Sequence, residues 1–96
     1  MVKIKIIDAI WRRKFVGSKL NADSGECDFD KCLITQAKSE CPQRRRNTLT
    51  HEITHAISDA LGLDLKERQV HAFATGWLQV LRDNPKLVKY LLKENE

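Results

Sequence analysis

The chain has 96 residues with 42% hydrophobic and 31% charged positions, a mixture that allows one globular domain over 1–96 and excludes a two-lobed enzyme or a disordered chain. No apolar run approaches the roughly 20 residues needed to span a bilayer, and the N-terminus alternates Lys with Ile instead of forming a signal peptide, so a cytoplasmic protein without a membrane role is expected. The net charge of +4 is uneven: residues 1–46 hold 11 Lys/Arg against 6 Asp/Glu, and residues 47–96 hold 6 against 7.

In chain order, Val2–Ile7 puts Val2, Ile4 and Ile6 on one side with period two, a strand pattern. Trp11–Val16 is a second strand, placed to form a hairpin with the first. Gly17–Gly25, rich in Ser, Asn, Asp and Gly, reads as loop. Phe29–Gln36 reads as a third strand, with Glu26–Asp28 as its hairpin partner. Cys27, Cys32 and Cys41 are an odd number at spacings foreign to zinc ribbons, so free thiols in a reducing compartment are expected.

The second half is helical. Pro42 suits a first helical position, where its missing N–H costs nothing. Leu49, Ile53, Ala56, Ile57 and Ala60 form an apolar stripe, and Gly62 suits a C-terminal cap. Asp64 and Glu67 have capping-box spacing ahead of a second helix carrying Val70, Phe73, Ala74, Trp77, Leu78 and Leu81. Asn84-Pro85 starts a short third helix with Leu87, Val88, Leu91 and Leu92. The pattern is α+β.

Inside the first helix lies His51-Glu52-Ile53-Thr54-His55, an H-E-x-x-H motif. Residues four apart stand one above the other on a helix face, so both imidazoles can reach one cation. Glu52 sits where it can act as general base on a metal-bound water. Chance would place this motif in about 0.6% of chains of this composition. Ile53 and Ile57 face the core and turn His51, Glu52 and His55 to another side.

A catalytic zinc takes three protein ligands and keeps one position for water. His71 and Glu67 are the candidates for the third. Tight antiparallel packing of the two helices sets His71 beside His55 and Glu67 beside Asp59, which favours His71, with Glu67 as the alternative. Asp59, four residues after His55, either orients an imidazole or is an exposed helix acid. Tyr90 and Arg82 have no placement near the metal. Arg44–Arg46 oppose the dipole of the helix they begin, and together with the basic first half they allow a weak nucleic-acid contact or a solvated helix start. Trp11 and Trp77 read as core or interface anchors.

The segment Thr48–Ile57 resembles the active-site helix of zincin metallopeptidases. The run Gly76–Pro85 resembles small phage and prophage metallopeptidase-like proteins, which are similar to minigluzincins and more distantly to ImmA/IrrE and SprT-like proteins. The resemblance is best over residues 29–85. It implies an antiparallel sheet of three or four strands packed on the active-site helix, with a following helix supplying the third ligand. That ligand is Glu in gluzincin-like members and His in SprT-like ones. By analogy with thermolysin-type enzymes, Glu67 would bind metal and His71 would be accessory, against the packing preference. The expected function is zinc-dependent hydrolysis of a peptide or protein substrate, with the protein in a host cytoplasm if phage-encoded. Latent minigluzincins, blocked by their own chain ends, suggest a role for Lys93–Glu96 on the metal. The competing expectation is a zinc-stabilised phage accessory or interaction module without turnover, with nucleic-acid contact as a weaker addition to it.

Overall fold

The computed structural model describes residues 3–17 and 25–94. Four strands precede three helices: β1 Lys3–Ile6, β2 Ala9–Val16, β3 Gly25–Asp28, β4 Leu33–Ala37, α1 Pro42–Leu61, α2 Glu67–Asp83 and α3 Pro85–Leu91. The α+β architecture is as the residue pattern predicts. Val2 and most of the predicted Gly17–Gly25 loop lie outside the described residues.

The sheet order is β1-β2-β4-β3. Two antiparallel hairpins, β1–β2 and β3–β4, stand side by side, and β4 rather than β3 docks on β2. Because direction alternates along the chain, β2 and β4 then run parallel, so the sheet is mixed rather than wholly antiparallel. Composition explains the choice. Ile34, Gln36 and Ala37 of β4 are buried and need neighbours on both sides, whereas β3, with Glu26 and Asp28 exposed, tolerates an edge. The predicted third strand is shorter than expected. Phe29–Cys32 form the β3–β4 turn, where Asp28 Oδ1 accepts the Lys31 N–H at 3.0 Å and Cys32 adopts a φ of 49°.

Strand alternation sends Ile6, Trp11 and Ile34 to one face, where Ala56 of α1 completes the buried core. Leu49, Ile53 and Ile57 pack against the same cluster, as the helical stripe predicts, while Ala60 is exposed. Trp11 meets Phe29 edge to face at 6.1 Å. Gly62 ends α1 at a φ of 64°, a conformation suited to glycine.

On its other flank α1 buries Thr50, Thr54 and Ser58. Each hydroxyl is used: Thr50 Oγ1 donates to Asn47 O at 2.9 Å, Thr54 Oγ1 donates to Thr50 O at 2.7 Å and accepts the Trp77 Nε1–H at 2.9 Å, and Ser58 Oγ accepts the Leu65 N–H at 3.0 Å. The Trp77–Thr54 bond, with buried Val70 and Ala74, fixes α2 to α1. No residue of α3 is buried. No helix among the described residues is long and apolar enough to cross a membrane.

Candidate metal centre

The second helix does not start where tight hairpin packing would put it. After Gly62 the chain turns back along α1: the Leu63 N–H reaches Ser58 O at 2.9 Å, and Leu65 is held by the Ser58 hydroxyl. An extended residue advances about 3.3 Å and a helical one about 1.5 Å, so the two steps from Leu65 to Glu67 pass roughly four residues of α1. Glu67 therefore arrives abreast of the histidines, not of Asp59. The cap is also different from the expected Asp64–Glu67 pair. Asp64 takes a φ of 53°, Lys66 is the N-cap, and Gln69 Oε1 accepts the Lys66 N–H at 2.9 Å. Glu67 is thereby released from capping.

Its carboxylate spans both imidazoles, with Oε1 2.5 Å from His51 Nε2 and Oε2 2.9 Å from His55 Nε2. The two rings lie 4.9 Å apart, centre to centre. One ligand atom from each of His51, His55 and Glu67 lies within 4.8 Å of the others. Tetrahedral zinc with bonds of about 2.0–2.1 Å separates its ligand atoms by roughly 3.4 Å, so the group fits an ion with little rearrangement. Two imidazole nitrogens and one carboxylate oxygen form a donor set that suits several divalent first-row metals.

His71, one turn further along α2, stands with its ring 6.1 Å from that of His51. It borders the site but lies outside the three-residue group, so the structure brings together the alternative ligand rather than the one that tight packing favoured. Asp59 is exposed and borders a small pocket shared with His55, with no hydrogen bond to that ring among the described residues.

Glu52 is 7% exposed and faces β3. Its room comes from Gly25. A Cβ there would sit 2.6 Å from Thr48 Cγ2, 3.1 Å from Glu52 Oε2 and 3.3 Å from Glu52 Cγ. Thr48 is itself held, its hydroxyl donating to Glu40 Oε1 at 2.9 Å. Cys27, next but one to Gly25, directs its thiol at the Glu52 carbonyl oxygen, 3.8 Å away. Burial first, then the negative charges of Glu52, Asp59 and Asp28 and the neighbouring Cys32, push the Cys27 thiol up to about 12. All three cysteines are free thiols. Gly25, Thr48 and Cys27 carry no motif, and only the approach of β3 to α1 exposes their role.

His51, Glu52, His55, Glu67 and His71 open onto a cleft of about 1180 Å³. Gly25, Glu26, Cys27 and Asp28 all line it. Consecutive strand residues point to opposite faces, so the cleft must run along the edge of β3. Tyr90, Arg82 and the tail residues Lys93 and Glu94 do not line it; Asn95 and Glu96 lie outside the described residues. Of the three consecutive arginines, Arg44 lies 3.9 Å from Glu40, and Arg45 stacks on Phe15 at 5.1 Å while donating to the Lys38 carbonyl.

No protein-family model, curated protein or solved structure matches the chain. The geometry by itself establishes a His51, His55 and Glu67 group, drawn from two helices, that can hold a metal ion.

Proposed function

We propose that this protein is a zinc-dependent metallopeptidase. The observation that carries the reading is the convergence of Glu67, from a separate helix, on the two histidines of the H-E-x-x-H turn, with Glu52 buried beside them. His51, His55 and Glu67 would hold the ion. Zinc bound by three such ligands acts as a Lewis acid and lowers the pKa of water to about 7. Glu52 accepts the proton of the attacking water and passes it to the leaving amine, the work of a general acid and base. Its neighbours Gly25 and Thr48 hold the carboxylate in place for this transfer. His71, on the cleft wall, is the group placed to donate a hydrogen bond to the reacting carbonyl oxygen.

A peptide is the substrate that suits the cleft. The edge of β3 borders it, and an extended segment can add to such an edge through main-chain hydrogen bonds. The test is Glu52→Gln. The variant should keep about one zinc per chain by elemental mass spectrometry and lose cleavage of a peptide library; full activity would remove Glu52 as the base.

The second reading is a zinc-stabilised binding module without turnover. It is favoured by the position of Tyr90 and Arg82 away from the cleft, where neither can stabilise an oxyanion. Under that reading zinc raises the melting temperature while the wild-type chain cleaves no member of the library.

A further inference from the structure

The sheet has a second face, opposite the one that α1 covers. Register and alternation place Lys3 and Lys5 of β1 and Arg12 and Lys14 of β2 together on it, all four exposed. Lys3 lies directly across from Arg12. Neighbouring strands are about 4.8 Å apart and alternate residues on a strand about 6.8 Å, so adjacent charges in this group fall within one Debye length, about 8 Å at physiological salt. None of the four takes part in an ion pair among the described residues.

Like charges placed directly opposite one another weaken a strand pair. The fold nonetheless segregates its signs: the acids of this face, Glu26 and Asp28, are on β3, with β4 between them and β2. Asp8, in the β1–β2 turn, is the nearest acid in sequence.

We propose that this face of β1 and β2 binds the phosphate backbone of duplex DNA. Charge complementarity selects a polyanion. Among the described residues the strands carry no aromatic side chain on this face for bases to stack on, which selects a duplex over a single strand. Trp11 and Phe15 point to the covered face, and the outward neighbours of the cations are Ile10, Val16, Leu33 and Thr35. With no side chain set to read bases, the binding is independent of sequence. None of Lys3, Lys5, Arg12 and Lys14 lines the cleft of the metal centre, although Leu33 and Thr35 next to them do, so changing these four cations leaves the His51, His55 and Glu67 group in place.

The experiment is fluorescence anisotropy with a labelled duplex of about 20 base pairs, titrated over a series of salt concentrations. Four phosphate contacts predict a slope of log K against log salt near −3.6. Arg12→Glu with Lys14→Glu should weaken binding at least tenfold and reduce the slope by about 2. The double change is compatible with the fold, because a Glu at position 12 faces Lys3. Lys3→Gln with Lys5→Gln is the second test of the same face. Lys86→Glu with Lys89→Glu on α3 changes net charge equally with Arg12→Glu and Lys14→Glu, and should leave affinity within about twofold. Equal weakening by both charge-reversal pairs would reduce the effect to net charge and overturn the assignment. So would absence of binding at low salt, tighter binding of a single strand, or binding to phosphatidylserine vesicles without binding to the duplex.

Discussion

Gly25→Ala tests whether the close approach of β3 to α1 holds Glu52. The new methyl carbon would lie 2.6 Å from Thr48 Cγ2, where carbon atoms settle at about 3.5–4.0 Å, so one partner must retreat by about 1 Å. Thr48 cannot turn away freely, since its hydroxyl is bonded to Glu40. Overpacking of this kind costs about 1–3 kcal/mol. The φ of Gly25 is not positive, so alanine also gains about 0.4–1 kcal/mol by restricting the unfolded chain. The net loss is about 1–2 kcal/mol, or roughly 5–15 °C of melting temperature for a domain of this size. Displacing Glu52 by a fraction of this distance should lower kcat at least tenfold, since about 1 Å of misplacement can cost about 10²-fold. Zinc content should not change, because the atoms nearest the new methyl belong to Thr48 and Glu52 and not to a proposed ligand. Thr48→Ser removes the offending methyl and keeps the hydroxyl, so Gly25→Ala combined with Thr48→Ser should recover most of the stability. Calorimetry of the four proteins forms a double-mutant cycle. An unchanged melting temperature in Gly25→Ala, or no coupling to Thr48→Ser, would refute the steric argument, and neither outcome depends on the peptidase reading.

Further tests address the site, the core and the first hairpin. Glu67→Ala should lose bound zinc while His71→Ala keeps it, measured by elemental analysis after dialysis; the reverse pattern would return His71 to the ligand set. The raised pKa of Cys27 means that folding favours the neutral thiol. The stability this supplies is complete below about pH 9, the ordinary thiol value, and is lost as pH rises toward about 12. The melting temperature of the wild type should therefore fall more steeply over that window than that of Cys27→Ala, and parallel curves would count against it. Ile7 occupies a φ of 56° in the β1–β2 turn, which costs a β-branched residue about 1–2 kcal/mol. Because Ile7 is 49% exposed, Ile7→Asn should raise stability by about 1 kcal/mol in urea denaturation, and a loss would show that the side chain contributes more than its strain costs.

Local signals carried the helices well. Pro42 opens α1 and Gly62 closes it, and the i, i+4 spacing of His51 and His55 places both rings on one face whatever the tertiary packing. The position of Glu67 was not legible in the same way. It depends on Leu63–Lys66 running back along α1, and that path is set by Ser58 and by the left-handed Asp64, neither of which has a sequence signature. The Asp64–Glu67 spacing even suggested a competing job for Glu67, one that Gln69 performs. The parallel β2–β4 pairing was hidden for a related reason. Each hairpin can be read from its own alternation, but which strand joins the two depends on the relative burial of β3 and β4.

That pairing also orders the assembly of the sheet. Each hairpin closes over a short stretch of chain, whereas the β2–β4 seam joins residues about twenty positions apart and carries a larger loop-closure cost. The seam is thus the slow junction, and until it forms the molecule presents additional open strand edges to its neighbours. Lysines and arginines on such edges discourage pairing between molecules. Lys3, Lys5, Arg12 and Lys14 sit on the hairpin that is made first along the chain, so the charges that weaken it slightly also keep it from joining a second copy before β4 arrives.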